Sequence, residues 1–312
     1  MDAPYQSSNN DSALARLVKR RSLRSMSEGT VRLLCFCCAF ISVGVSVALV
    51  VLLIKENIPF FREVPVKDFL LGRDWSPLFE PPKYGVLPLI AGTMMITIGA
   101  GIIAMPLGLL AAVYLSEFAS PKAKGILKPA LEVLAGIPTV VYGFFGVMFV
   151  TPFLKGIFPK TEVFNAAAGA IVVAIMILPL VSSLCEDALS SVPKQQREGA
   201  YGLGSTKFEV TSRVVVPGAM SGIVSAFILA LARAVGETMA VTLAAGAKPQ
   251  LTWNPLESIQ TMTAYIVTVT TGDVSQQSTG YRTIFAVGLT LFLLTLGMNL
   301  VARKVVAKYR RA

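Results

Sequence analysis

Two opposite charges, Arg233 and Glu237, lie inside an otherwise uncharged stretch at residues 229–241. From Pro217 to Arg233 a helix rises by about 24 Å, which would place the guanidinium deep in a hydrocarbon core of about 30 Å. A charge at that depth costs at least ~2.5 kcal/mol, so both side chains are expected to face protein or water. A guanidinium is permanently charged, and its five N–H donors match a tetrahedral oxyanion. The sequence therefore predicts an anion path lined by Arg233.

The spacing of four residues places Glu237 on the same helix face as Arg233. A self-neutralising ion pair that only tolerates burial is the alternative interpretation. The anion path is favoured, because Ala or Leu would avoid the charge altogether and because Arg before Glu is the less favourable order in a helix. In that case Glu237 would hold Arg233 between passages and weaken the site enough for the anion to leave. We assign Thr238, the next residue, to the same substrate path.

Another candidate part of the path surrounds Pro138, which lies inside an apolar run and removes one backbone donor there. A break or kink is expected at Pro138, with Thr139 and Tyr142 available to satisfy or offer hydrogen bonds. Glu132 precedes the break, and two roles for it are left open. It either pairs with Lys128, four residues earlier, or takes part in gating.

A polar run follows the fourth apolar stretch and indicates two short helices around a turn. Pro193 suits a first helical position, and the pair Gly202 and Gly204 ends that helix because glycine accepts left-handed backbone angles. Thr206 and Glu209 have the spacing of a capping box, which starts the second helix. The sequence therefore predicts a compact helix-turn-helix between two membrane spans.

The composition defines the class of protein that must position these residues. Hydrophobic residues make up 54% of the 312 residues, charged residues 15%, and the mean hydropathy is +0.66. These values indicate an integral membrane protein. The sequence contains no histidine, which excludes His-dependent triads and HExxH zinc sites, and no P-loop motif for ATP hydrolysis. We therefore expect no catalytic or metal site, no disulfide and no cofactor bound by this chain.

Apolar runs predict an all-α polytopic membrane protein with six transmembrane helices. The predicted spans are 33–54, 86–116, 129–154, 163–185, 217–247 and 283–302. The predicted domains are a basic tail at 1–32, the first span, an exterior segment at 55–85, a permease domain at 86–303 and a basic tail at 304–312.

The basic residues predict the orientation of these spans. Eighteen lie on the predicted cytoplasmic side and nine on the exterior side, which places both termini in the cytoplasm. A further helix at 258–271 is expected either outside the membrane or dipping into it.

The exterior segment contains Phe60, Phe61, Phe69 and Trp75. An aromatic belt at the membrane interface is the favoured interpretation, and direct contact with a partner is the alternative.

The polar run at 193–217 also resembles the "EAA" coupling loop of ABC importer permeases. The matching residues are Glu198, Ala200, Gly204, Val214, Val216 and Pro217, while Gly199 stands where the family has Ala. In that family the loop sits in a cleft on the cytoplasmic ATPase, so the resemblance assigns these residues to ATPase coupling. The glycine is expected to loosen the first coupling helix without changing the assignment.

More specifically, residues 69–302 resemble the PstC family, the permease subunits of phosphate-specific ABC importers. The resemblance rests on the segment around Trp75, on the run 135–143, and on Arg233 with Glu237. It implies the type I ABC importer permease fold and import of inorganic phosphate across a bacterial inner membrane by alternating access.

The same resemblance implies a set of partners and no nucleic acid. They are a sister permease PstA in a heterodimer, two copies of the ATPase PstB that bind ATP and Mg, and a phosphate-binding protein PstS. Membrane lipid surrounds the subunit.

Two other transport functions remain open. The chain could be a permease for another tetrahedral oxyanion, of the sulfate or molybdate class. It could also be an ion-coupled secondary transporter that uses Glu237, although such a protein would not need a capped helix-turn-helix at 193–217.

Overall fold

The computed structural model describes the backbone of residues 7–275 and 278–309, and side chains within 31–275 and 278–307. The first six residues of the predicted N-terminal tail and residues 310–312 of the C-terminal tail lie outside this range. The chain divides into two compact units, Met1–Lys55 and Glu56–Ala312. The division into five predicted domains stays a prediction.

The first helix, α1, runs from Ser7 to Glu63, and its part Val31–Glu63 is long and apolar enough to cross a membrane. The predicted boundaries at residues 33 and 55 therefore fall inside one continuous helix. The large apolar side chains of the first unit, such as Leu33 and Phe36, are exposed, as expected for a surface that meets lipid.

Aromatic rings at the end of α1 and just after it pack with one ring from later in the chain. We call these residues the aromatic cluster: Phe60, Phe69, Trp75, Tyr84 and Tyr265. Helix α2 (Val66–Leu71) and two short antiparallel strands, β1 (Trp75–Ser76) and β2 (Lys83–Tyr84), position it. Phe60, Phe69 and Trp75 are 0%, 1% and 3% exposed. The predicted interface belt is therefore wrong for these three residues, because their rings pack edge-to-face against one another instead of facing lipid headgroups.

Helices α3 (Leu87–Val113) and α7 (Ala166–Ser190) pack against each other at the centre of the second unit. Small residues permit the close approach. A Cβ added at Gly99 would lie 2.9 Å from the Ala170 Cβ, and one added at Gly108 would lie 2.6 Å from a Val181 methyl group. Asn165 caps α7, because its Oδ1 accepts a 2.7 Å hydrogen bond from the Ala168 N–H.

The predicted third span, 129–154, is broken. Helix α4 (Pro121–Gly136) ends before Pro138, and α5 (Thr139–Phe145), a π-helical turn (Gly146–Val150) and α6 (Thr151–Ile157) follow. The candidate span is Thr139–Ile157, so the predicted break at Pro138 is confirmed and the predicted start at 129 is wrong. The Tyr142 hydroxyl donates a 2.7 Å hydrogen bond to the Leu134 carbonyl and bridges the break.

The predicted helix-turn-helix is present. Helix α8 (Lys194–Gly202) is followed by α9 (Lys207–Val210), a π-helical turn (Thr211–Val215) and α10 (Val216–Gly218). The predicted first helical position of Pro193 is wrong by one residue, because Pro193 is the N-cap residue of α8.

The predicted fifth span, 217–247, is not one helix. Helix α11 (Met220–Val235) is bent by 67° from the segment Lys207–Gly218, and α12 (Met239–Ala245) begins after a second interruption.

Two helices complete the fold, α13 (Met262–Thr271) and α14 (Thr279–Tyr309). The predicted helix at 258–271 is confirmed, but it begins four residues later, where Thr261 caps it. Among the described residues, five helices are long and apolar enough to cross a membrane, or six if the bent pair is one span. The prediction of six spans agrees with the larger number.

Candidate anion path and coupling surface

Arg233 lies in the last turn of α11, and the sequence of that helix explains its placement. Ile223, Ala226, Ala230 and Ala234 recur at spacings of three and four residues and are buried on one face. A Cβ added at Gly222 would lie 2.5 Å from the Ala188 Cβ, so α11 crosses close to α7 there. Arg233 lies off the buried face and is exposed in this single chain.

Arg233 lines a cavity of about 220 Å³ between α4, α7 and α11. Its other polar lining residues are Lys128, Glu132, Ser182, Ser183 and Glu186. The remaining lining residues are apolar. The cavity thus presents two cations, two carboxylates and two hydroxyls on a mostly apolar wall, which is the composition of a small-molecule site.

Glu186 is held by two lysines from α4. Its carboxylate oxygens lie 2.5 Å from the Lys124 Nζ and 3.2 Å from the Lys128 Nζ, and its side chain is 4% exposed. The hydrogen bond to Glu186 raises the pKa of Lys128 above its usual value. Of the two roles left open for Glu132, the pairing with Lys128 is therefore not formed, because the lysine reaches a more buried carboxylate on another helix.

Ser182 lies one helical turn before Glu186 and is fully buried. Among the described side chains its Oγ finds no hydrogen-bond partner. A buried hydroxyl without a partner costs free energy, so a ligand atom in the cavity would gain a donor there.

Arg233 and Glu237 do not pair in the described part of the chain. Helix α11 ends at Val235, so the spacing of four residues no longer places both side chains on one face. The Glu237 carboxylate instead accepts a 3.4 Å hydrogen bond from the Ala240 N–H in the first turn of α12. Its carbonyl accepts a 2.7 Å hydrogen bond from the Thr263 hydroxyl.

The other predicted path residues lie outside the wall of the Arg233 cavity. The Thr238 hydroxyl donates to the Gly236 carbonyl at 3.2 Å, within the interruption between α11 and α12. Thr139 is the first residue of α5, and Tyr142 is buried with its hydroxyl proton committed to Leu134. Helices α5 and α12 touch, since a Cβ added at Gly143 would lie 3.0 Å from the Ala240 carbonyl oxygen.

The helix-turn-helix has the local geometry that its sequence predicts. Gly204 has a φ of +82°, the left-handed angle that ends α8. Thr206 and Glu209 form the capping box, with a 2.9 Å hydrogen bond from the Thr206 N–H to the Glu209 carboxylate. Two more predicted coupling residues, Glu198 and Pro217, are exposed.

The three remaining predicted coupling residues, Ala200, Val214 and Val216, pack against the hydrophobic core. Nearby Tyr201, Leu203 and Phe208 are 43%, 89% and 71% exposed. The core-facing residues hold the two short helices, and the exposed apolar side chains present a surface of the kind found at protein interfaces.

Arg197 fastens α8 to the bundle. Its guanidinium lies 3.2 Å from the Glu117 carboxylate and donates a 2.6 Å hydrogen bond to the Leu189 carbonyl at the end of α7. The Lys207 Nζ lies 5.2 Å from the centre of the Phe118 ring. A displacement of α8 would therefore be transmitted to the ends of α3 and α7.

Broken apolar helices, a cavity lined by Arg233 and an exposed helix-turn-helix define the class of protein as a membrane permease with a docking loop. Residues 104–311 match the family described as "Binding-protein-dependent transport system inner membrane component". The chain belongs to this family.

Two relatives and one solved structure extend this finding. The chain is 36% identical over 92% of its length to a "Probable ABC transporter permease protein YqgH" of Bacillus subtilis, of which 93% is covered. It is 34% identical over 76% of its length to "Phosphate transport system permease protein PstC" of Mesorhizobium japonicum, of which 77% is covered. A bacterial alginate ABC transporter chain has a TM-score of 0.61 at 16% identity, with 92% of this chain and 94% of that chain covered.

These comparisons confirm two predictions. The fold is that of a type I ABC importer permease. The predicted resemblance to the PstC family is confirmed by relatives that carry that name. The chain is thus a permease subunit of an ABC transporter, of the inner-membrane component family.

The sequence did not predict Lys124, Ser182 and Glu186 as site residues. The sequence feature that could have indicated Glu186 is its position directly after Cys185, the predicted end of the fourth span. It was weak, because carboxylates at the ends of spans are common and the partners of Glu186 lie 58 and 62 positions away in the chain.

Proposed function

We propose that this chain is the permease subunit of an ATP-driven importer that moves inorganic phosphate across the cytoplasmic membrane by alternating access. The observation that carries the proposal is Arg233, which lines a cavity between α4, α7 and α11 that contains few but charged polar groups. The relatives named as phosphate transport permeases support the choice of substrate.

The chemistry of the cavity suits a phosphate that must enter and leave. Arg233 and Lys128 attract an anion, and the guanidinium can bind two phosphate oxygens at once. Glu132 and Glu186 on the same wall offset these charges. A balanced site binds its ion weakly enough for release, which a transport path requires.

The proposed partners follow the family architecture. The chain would pair with a sister permease PstA in a complex that contains two copies of the ATPase PstB, and it would receive phosphate from PstS on the exterior side. PstB would bind ATP and Mg, and both termini of this chain would lie in the cytoplasm with α8.

In this scheme ATP-driven closure of the ATPase displaces residues 193–217. The displacement reaches α11 directly, because the segment Lys207–Gly218 continues into it through the bend. Arg233 would then alternate between outward and inward exposure, with Thr139, Tyr142 and Thr238 bordering the path at the helix breaks.

Glu237 belongs to another stage of this cycle in our proposal. While its carboxylate is held at the start of α12, Arg233 is free to bind phosphate. Closure of the interruption at 236–238 would bring the two charges onto one face and release the anion.

Uptake of radiolabelled phosphate into vesicles that contain the full complex tests the proposal. Arg233→Gln should reduce ATP-dependent uptake at least a hundredfold, and Glu237→Gln should slow it by about tenfold, because each removes a charge from the path. Lys160→Gln, which removes an exposed cation from a loop, is the matched control. Normal uptake by an assembled Arg233→Gln complex would refute the proposal, and uptake of sulfate or molybdate in place of phosphate would correct the substrate.

A further inference from the structure

The ion-pair cluster of Glu186, Lys124 and Lys128 adjoins the Arg233 cavity, which Lys128 and Glu186 line, and the proposed function uses it only to balance the charge of the site. One carboxylate here faces two ammonium groups, so the cluster carries an excess of one positive charge. A buried carboxylate between two half-exposed lysines needs only one of them for neutrality. The second lysine is thus available to an anion.

The cluster and Arg233 lie at different heights along the bundle. Gly222 of α11 touches Ala188 of α7, and Arg233 farther along α11 shares the cavity wall with Met176 near the middle of α7, so the two helices run in opposite directions. Arg233 lies eleven residues beyond Gly222, or about 16 Å, so it stands near the level of Met176 on α7. Glu186 lies about 15 Å from that level, towards the end of α7 that α8 adjoins. The cavity therefore extends from Arg233 towards the α8 end of the bundle.

Helix α4 supplies both lysines and is loosely attached. None of its residues is fully buried, and the interruption at 137–138 separates it from α5. Its two ion pairs to Glu186 are the charged contacts that the described residues give it with α7. Exchange of these contacts would let α4 move relative to α7.

Ser182 completes the arrangement. Its hydroxyl is fully buried in the cavity wall, one turn before Glu186, and has no partner among the described side chains. An oxyanion placed between the two lysines and Ser182 would accept from all three groups. It would also repel the Glu186 carboxylate.

We propose that Lys124, Lys128 and Ser182 form a release subsite for phosphate, and that Glu186 is the carboxylate which competes with phosphate for the two lysines. This inference rests on the proposed function, because phosphate reaches the subsite from Arg233. Phosphate arriving from Arg233 displaces Glu186, α4 loosens from α7, and return of the carboxylate expels the anion. Glu186 is thus a positioning residue for release.

The test uses the complete complex with inorganic phosphate as the probe, and measures phosphate bound at equilibrium in detergent alongside uptake into vesicles. The double substitution Lys124→Gln with Lys128→Gln should lower bound phosphate about tenfold, because two charge-assisted contacts are lost. Glu186→Gln should raise bound phosphate about tenfold and slow uptake, while ATP hydrolysis continues. Lys124→Arg with Lys128→Arg should retain near-normal binding, and Lys122→Gln on the same helix is the matched control.

A merely structural ion pair predicts a different result. Glu186→Gln would then lower thermal stability without raising phosphate binding, and that outcome overturns the proposal. Unchanged phosphate binding in the double lysine variant also overturns it. If Arg233→Gln abolishes uptake while the double lysine variant binds and transports normally, only the release subsite fails. If Arg233→Gln transports normally, the proposed function fails as well.

Discussion

The two ends of the helical bundle are held together by different forces. At the α8 end, charged side chains join separate helices: Glu186 with Lys124 and Lys128, and Arg197 with Glu117. At the opposite end, the interior of the aromatic cluster is uncharged, with the more exposed ion pair of Glu63 and Arg282 outside it, and Trp75 packs edge-to-face on Tyr265 with ring centres 4.9 Å apart. The lysines of these ion pairs are 40% exposed and can exchange a carboxylate for water or another anion, whereas a packed aromatic core resists deformation.

The loop after α12 strengthens the end that contains the aromatic cluster. The N–H groups of Glu162 and Ala166 donate 3.0 Å hydrogen bonds to the carbonyls of Leu256 and Glu257. The Ser258 N–H donates to the Glu162 carboxylate at 2.9 Å. This backbone network fastens the loop to the start of α7. The difference between the two ends indicates that conformational change begins where charges are exchangeable, and the opposite end serves as the fixed frame.

The largest expected effect breaks the fixed frame. Trp75→Ala should lower the free energy of unfolding by about 3–5 kcal/mol, because it empties a buried site in the aromatic cluster. Thermal unfolding of the purified chain in detergent measures the loss. Trp253→Ala is the matched control, since that indole is 85% exposed and its loss should change stability by about 0.5 kcal/mol or less. Equal stability of both variants would mean that the aromatic cluster is not the frame.

An intermediate effect tests the charged end. Arg197→Gln should weaken attachment of α8 by about 1.5–3 kcal/mol, since a charge-assisted hydrogen bond and an ion pair of a half-buried side chain are both lost. In the full complex, phosphate transported per ATP hydrolysed should fall severalfold, and the difference from the unsubstituted chain should shrink at high salt, because salt screens the ion pair that only the unsubstituted chain has.

Lys194→Gln provides the control for Arg197→Gln, because Lys194 is exposed on the same helix. A normal ratio of transport to hydrolysis in Arg197→Gln would show that α8 transmits force without this contact.

The smallest effect concerns α8 itself. A Cβ added at Gly199 meets no atom within 4 Å, so Gly199→Ala should stabilise α8 by about 0.5–1 kcal/mol through helix propensity alone. Unfolding of the chain should shift slightly upward, with uptake by the complex unchanged. Reduced uptake would instead show that the flexibility of α8 at this glycine contributes to coupling.

Local signals in the sequence were sufficient for the parts of the fold that local chemistry decides. The capping box of Thr206 with Glu209, the left-handed Gly204 and the break at Pro138 each depend on residues within four positions. The second break, at 236–238, was missed because a lone glycine is tolerated in many helices at a cost of about 1 kcal/mol.

Sequence patterns did not predict the contacts between residues that are distant in the chain. Lys128 forms its ion pair with Glu186 and not with Glu132, because of how α4 lies across α7. Aromatic residues of the exterior segment were assigned to a belt, since their type alone does not distinguish burial against protein from contact with headgroups. The sequence therefore predicted the candidate site at Arg233 and missed the lysines nearer the α8 end of the bundle.

The 67° bend at Ala219 makes α11 the long arm of an elbow. Ala219 is buried and its N–H donates a 2.9 Å hydrogen bond to the Val215 carbonyl, so the joint is braced. Arg233 stands 13 residues beyond Met220, about 20 Å out along the arm, and a rotation of about 5° at the joint would move its guanidinium by about 2 Å. A slight tilt of the segment Lys207–Gly218 before the bend would therefore change which acceptor atoms lie within hydrogen-bonding distance of the Arg233 guanidinium.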